Sequence, residues 1–142
     1  MKIFIDGSAG TTGLRIKDRL MKRSDVELTT LSEEQRKDTE SRKQALNSAQ
    51  VAFLCLPDAA AVEAVELVEN PDTVIIDTST AHRTSEGWAY GFPELSAEFE
   101  DKIKNSKRIA VPDATPAGLS RLFIRLLRRA CSEMMHCSAA IL

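Results

Sequence analysis

The feature that most narrows the fold lies at the amino end, where a β-rich run, Met1-Lys2-Ile3-Phe4-Ile5-Asp6, passes without a break into Gly7-Ser8-Ala9-Gly10-Thr11-Thr12-Gly13. Beyond it Leu14, Ile16, Leu20 and Met21 recur near helical spacing among charged residues, so one face of a helix can pack on a sheet. A glycine-rich turn that follows a strand and opens a helix is the context of dinucleotide binding. Gly7 permits a tight turn, Gly10 lets a pyrophosphate approach the backbone, and Gly13 allows close helix packing. The first-turn amides, with the Thr11 and Thr12 hydroxyls, can donate to phosphate. A purely structural turn is the alternative reading.

The rest of the chain continues the same rhythm. Val26 to Leu31 alternates as a second strand, and Ser32 to Gln50 is polar enough for a surface connection and an exposed helix whose charges are solvated. Val51 to Leu56 is a continuous apolar run, as in a strand buried on both faces. Asp58 is placed to cap a helix with Ala59, Val62, Val65 and Val68 on its apolar side, and Asn70-Pro71-Asp72 stops it. Thr73 to Asp77 is a fourth strand, Ser79 to Leu95 is loop-like, Ser96 to Lys104 is a short charged helix, and Arg108 to Pro112 is a last strand. This alternation predicts an α/β fold, a Rossmann-like and mostly parallel sheet with helices on both faces.

Charge and composition exclude several partners. Nineteen Lys and Arg against 21 Asp and Glu leave a formal charge of −2, which gives no field for nucleic acid or an anionic membrane. No apolar run approaches the roughly 20 residues of a membrane span, and no signal peptide precedes the first strand, so a cytoplasmic protein is expected. Three cysteines, Cys55, Cys131 and Cys137, make no disulfide framework. Cys131, His136 and Cys137 match no closed zinc pattern, so no metal site is expected.

The choice of dinucleotide turns on the end of the second strand, where an acidic side chain favours NAD and a basic one accommodates the extra phosphate of NADP. Ser32, with Arg36 and Lys37 nearby, favours NADP, while Glu33 and Glu34 weigh the other way. The run Asp77-Thr78-Ser79-Thr80-Ala81-His82-Arg83 leaves the fourth strand at the carboxyl edge of the sheet, where ligands bind in this architecture. His82 and Arg83 there can face an anionic substrate or be ordinary loop polar groups.

Four motifs in order carry a family resemblance: Gly-Ser-Ala-Gly-Thr-Thr-Gly-Leu, Phe-Leu-Cys-Leu-Pro, Ile-Asp-Thr-Ser-Thr-Ala-His-Arg-Thr and Tyr90-Gly91-Phe92-Pro93-Glu94-Leu95. Together they resemble the shorter second type of N-acetyl-γ-glutamyl-phosphate reductase, over residues 1–112. Aspartate-semialdehyde dehydrogenase shares the layout but fits the Ser-Thr-Ala-His-Arg run less well. The resemblance implies an NADP-binding domain of the semialdehyde dehydrogenase type, an acyl-phosphate or semialdehyde substrate of arginine biosynthesis, and leaves a homo-oligomer open. It extends the cofactor contacts to Pro57 and Ser79 and makes His82 and Arg83 substrate-proximal. In that family a cysteine thiolate attacks the acyl phosphate, phosphate leaves, and hydride from NADPH converts the thioester to an aldehyde.

The chain departs from this pattern at the nucleophile. The family reads Val-Pro-Gly-Cys-His-Ala, whereas here Val111-Pro112-Asp113-Ala114-Thr115-Pro116 places Ala114 where the cysteine is expected. Restoring one base ahead of codon 113 permits Gly-Cys-His-Ala-Ser-Gly, so a single-base deletion is inferred, with residues 113–142 a divergent, frameshifted tail. The composition agrees: residues 1–112 carry 15 basic and 19 acidic side chains, whereas 113–142 carry four arginines against Asp113 and Glu133. Leu119, Leu122, Phe123, Leu126 and Leu127 could form a basic amphipathic helix there. On this reading the catalytic domain is missing, the chain is inactive, and apolar surface, including a strand edge near Val111, is left exposed. A surviving NADP-binding module, an inactive partner of an intact subunit, and a reductase working through the His82-Arg83 loop are the alternatives.

Overall fold

The computed structural model describes residues 1–92 and 95–112. Among them the strands are β1 (Lys2–Asp6), β2 (Glu27–Thr29), β3 (Val51–Leu54), β4 (Val74–Asp77), β5 (Ala89–Tyr90) and β6 (Arg108–Ala110). The helices are α1 (Thr11–Leu20), α2 (Thr39–Ser48), α3 (Asp58–Glu66) and α4 (Ala97–Asn105). The strands form one parallel sheet in the order β2-β1-β3-β4-β6-β5. The amphipathic helix expected at Leu119 to Leu127, Ala114, and the Cys131, His136 and Cys137 group lie outside the described residues.

Both faces of the sheet are buried, as the continuous apolar strands require. Successive side chains point to opposite faces. Ile3, Ile5, Phe53, Ile76 and Ile109 pack under Ile16 and Leu20 of α1 and Ile103 of α4. Phe4, Ala52, Leu54 and Ile75 pack under Ala45 and Leu46 of α2 and Ala64 of α3. Burying each of the large side chains contributes about 1.5–3 kcal/mol. Asn47 fastens α2 to the segment after α3. Its amide nitrogen donates to the Lys43 and Leu67 carbonyls at 2.8 and 2.9 Å, and its oxygen accepts the Glu69 and Asn70 amides, both at 2.7 Å.

Several expectations are corrected. Helix α1 buries Gly13, Ile16 and Leu20, while Leu14 and Met21 are 47% and 67% exposed. Helix α3 lies on the sheet through Ala61 and Ala64 rather than the Ala59 and Val62 side, because two small residues three apart allow the closest approach. Asp58 does not cap α3: Pro57 holds that position without a side-chain bond, and the Asp58 carboxylate accepts from the Thr80 amide and hydroxyl. The loop-like stretch after β4 contains β5. That strand covers β6, so among the described residues β6 pairs on both sides, Val111 is fully buried, and the sheet edge on this side is β5. Not all charges between Ser32 and Gln50 are solvated either, since Arg42 is folded inward against Asp6.

Candidate dinucleotide site

The chain leaves β1 toward β2 on one side and returns to β3 on the other, so the strand order reverses between β1 and β3. In an open α/β sheet the crevice outside the carboxyl ends of the strands at such a point is where ligands bind. The glycine-rich turn leaves β1 here, and Cys55-Leu56-Pro57 leaves β3 beside it.

Steric demands separate the three glycines. Gly7 has φ +84°, and a Cβ on it would lie 2.2 Å from the Cys55 carbonyl oxygen, so β1 and β3 exit too close together for any side chain. A Cβ on Gly13 would lie 2.4 Å from the Gly7 carbonyl oxygen and 2.8 Å from Ser8 Cα, so this glycine seats α1 against the turn. Gly10 is different. Its φ is −76°, it is exposed, and an added Cβ would meet only the Gly7 oxygen at 3.5 Å, an ordinary contact. Nothing within the described fold requires a glycine there.

Gly10 is also the N-cap of α1, without a side chain to satisfy the first-turn amides. Helices α2 and α4 are capped by Asp38 and Ser96, and α3 carries Asp58 in its first turn. Helix α1 has neither a capping side chain nor a first-turn carboxylate. Its positive end therefore opens on the crevice beside Ser8, Ala9, Thr11 and Thr12, where an anion is favoured by about 0.3–1 kcal/mol and up to ~2 when partly buried.

At the end of β2 the predicted residues form a turn. Ser32 and Gln35 bond reciprocally, amide to side chain, at 3.0 and 3.2 Å, and Arg36 Nε donates to the Leu31 carbonyl at 3.2 Å. An open cavity of about 450 Å³ is lined by Ser32, Glu33, Glu34 and Lys37. The fold thus brings Ser32 and Lys37 together with both glutamates, so basic and acidic groups share this wall.

The loop after β4 is held from within. Asp77, fully buried, accepts from the Ser79 amide and hydroxyl at 2.9 and 2.6 Å and lies 2.7 Å from His82 Nδ1. The His82 ring stacks on Trp88 with centroids 4.1 Å apart. Arg83 Nε donates to the Val111 carbonyl at 3.1 Å, tying this loop to the exit of β6. The Thr80 hydroxyl and amide, and then the charge of Arg83, hold the Asp58 carboxyl below its ordinary range. Sequence reasoning missed Asp77, Asp58 and Trp88 as supports of this loop. A buried-strand pattern ending in Asp was the signal available for the first.

Cys55 is no substitute nucleophile. Burial pushes its thiol up to about 12, and the Asp6 and Asp77 carboxylates push the same way against a hydrogen bond to Thr78. A thiolate is the reactive form, so this cysteine is inert near neutrality. Among the described residues there is no cluster of His, Cys, Asp and Glu able to hold a metal ion, and no helix long and apolar enough to cross a membrane.

A parallel, doubly wound sheet with a glycine-rich turn and an uncapped helix at its switch point defines the class of dinucleotide-binding α/β domains. Sequence comparison narrows the class: residues 2–106 match the family model for the semialdehyde dehydrogenase, NAD binding domain, and the chain belongs to this family. It is 52% identical over 117 residues to an N-acetyl-gamma-glutamyl-phosphate reductase of Trichormus variabilis, covering 82% of this chain and 36% of that protein. It is 49% identical over 126 residues to N-acetyl-gamma-glutamyl-phosphate reductase 2 of Pseudomonas putida, covering 89% of this chain and 40% of that protein. The chain therefore spans well under half the length of these relatives. Among solved structures, aspartate semialdehyde dehydrogenase from Francisella tularensis superposes with a TM-score of 0.56 at 18% identity, over 78% of this chain and 35% of that one. Aspartate semialdehyde dehydrogenase II from Vibrio cholerae gives 0.52 at 17% identity, over 77% and 40%. At such identities these likenesses speak for the fold.

Proposed function

We propose that this chain is the dinucleotide-binding part of an N-acetyl-γ-glutamyl-phosphate reductase, that it takes NADP in preference to NAD, and that it does not itself turn over substrate. The observation that carries the reading is the turn at the β1/β3 switch point: Gly10 needs no glycine for internal packing, and α1 begins with neither cap nor carboxylate. A backbone free of side chain and a positive helix end are what a pyrophosphate requires.

In this reading Gly7 and Gly13 shape the turn, while Ser8, Ala9, Gly10, Thr11 and Thr12 face the phosphates. Pro57 and Ser79 border the crevice from the ends of β3 and β4, and Ser32 and Arg36 border the ribose end. The dinucleotide, when bound, supplies the hydride; the described residues bind and orient it. NADP is favoured because Arg36 uses only Nε on Leu31, leaving its terminal nitrogens for a 2′-phosphate, and Lys37 lines the adjoining cavity. Arg83, anchored through Nε to the exit of β6, is placed to meet an anionic acyl phosphate, with His82 holding the loop.

Inactivity rests on chemistry at one position. Acyl transfer to the enzyme needs a thiolate, Ala114 stands where the family resemblance expects the cysteine, and the Cys55 thiol is buried and protonated. The test is phosphate-dependent reduction of NADP by the purified chain with N-acetylglutamate semialdehyde. No turnover by a chain that binds NADPH is expected; turnover would overturn the assignment of Ala114 as the decisive loss.

A further inference from the structure

The strongest feature that the binding reading leaves unused is a buried ion pair beside the glycine-rich turn. Asp6 is the last residue of β1 and only 4% exposed. Arg42, in the first half of α2, reaches back to it across 36 positions, with Nε and Nη2 at 3.1 and 2.8 Å from the same carboxylate oxygen. The side chains are 6% and 15% exposed. Asp6 is in register with Leu54, and Leu54 with Asp77, so two buried carboxylates flank the end of β3 on one face of the sheet. Asp77 is satisfied locally by Ser79 and His82, whereas Asp6 depends on an arginine from another element.

This arrangement sets a problem for an anion-binding edge. Asp6 immediately precedes Gly7, and its backbone carbonyl accepts the Cys55 amide at 2.8 Å, so this residue stands at the sheet edge from which the turn departs. A pyrophosphate seated on Gly7 to Gly13 would lie within a few residues of it, and an uncompensated carboxylate in a low-dielectric setting repels it strongly. Building on the dinucleotide reading above, we propose that Arg42 is a positioning residue for the cofactor: it neutralises Asp6 beside the turn that receives the pyrophosphate.

The test compares wild type, Arg42→Gln, Asp6→Asn and the double variant Asp6→Asn/Arg42→Gln, each titrated with NADPH and with adenosine 2′-monophosphate, which lacks the pyrophosphate. Arg42→Gln should raise the Kd for NADPH about tenfold or more, and the double variant should return it to within about threefold of wild type. Asp6→Asn should bind NADPH at least as tightly as wild type. Should Arg42→Gln fail to fold because it strands a buried charge, the Asp6→Asn arm still decides the matter. Adenosine 2′-monophosphate should bind all four chains alike. A purely structural pair predicts instead that both single variants lose NADPH affinity together. Weakened binding by Asp6→Asn, or unchanged binding by Arg42→Gln, overturns the proposal. A folded wild-type chain that binds no NADPH overturns the dinucleotide reading itself, which separates the two failures.

Discussion

Substituting alanine at Gly7 and at Gly10 should give opposite phenotypes, although the two residues belong to one motif. At Gly7 the new methyl meets φ +84°, which costs an L-residue about 1–2 kcal/mol. It also lies 2.2 Å from the Cys55 carbonyl oxygen, a clash relieved only by parting β1 from β3 where the Cys55 amide donates to Asp6 at 2.8 Å. Weakening that buried bond adds about 1–3 kcal/mol. Gly7→Ala should therefore lose about 3 kcal/mol or more and drop the Tm by about 10 °C or more. At Gly10 the methyl finds only an ordinary contact at 3.5 Å and a permitted φ, so the Tm should stay within a few degrees. The same methyl would stand where a pyrophosphate approaches, and NADPH affinity should fall about tenfold or more, roughly 1.4 kcal/mol. Thermal unfolding and fluorescence titration of both variants measure the two effects. Equal losses of Tm would refute the division of roles, and undiminished NADPH binding by Gly10→Ala would refute the placement of the ligand on that residue.

Other outcomes follow from individual contacts. Asn47→Ala removes three hydrogen bonds that join α2 to the segment after α3 and one within α2, and urea unfolding should show a loss of about 2–3 kcal/mol; a change below ~0.5 would mean water replaces the amide at no cost. With its thiol raised to about 12, Cys55 should resist iodoacetamide at pH 8 in the native chain and react only after unfolding, as read by peptide mapping. Asp58 is held below the ordinary aspartate value of about 3.9 by Thr80, so its contribution is present above that pH and is lost as pH falls through the lower, folded value. The acid limb of Tm against pH should become shallower in Asp58→Asn, and an unchanged limb would show that the Thr80 contact does not persist in solution.

Much of this fold was legible because its signals are local. The strand, glycine turn and helix at residues 1–20 are contiguous, and the apolar runs ending at Leu56 and Asp77 announce strands buried on both faces. What escaped was set by tertiary contact. The packing face of α3 is defined by Ala61 and Ala64, whose small size matters only once the sheet is beneath them, whereas the larger Val62 drew the amphipathic pattern outward. Strand β5 is two residues long and exists because β6 offers it an edge. Asp6 and Arg42 are separated by 36 positions, and neither is distinguishable in the sequence from a solvated charge. The site divided the same way: the glycine-rich turn could be read from spacing, but the supports of the loop after β4 meet it only on folding, Asp58 from the start of α3 and Trp88 from further along the same loop.

The most direct measurement is calorimetric titration of NADPH and of NADH into the full chain at fixed ionic strength. Saturable single-site binding, tighter for NADPH than for NADH, is the expected result. A folded chain that binds neither dinucleotide would contradict the central claim that the β1/β3 crevice is a pyrophosphate site.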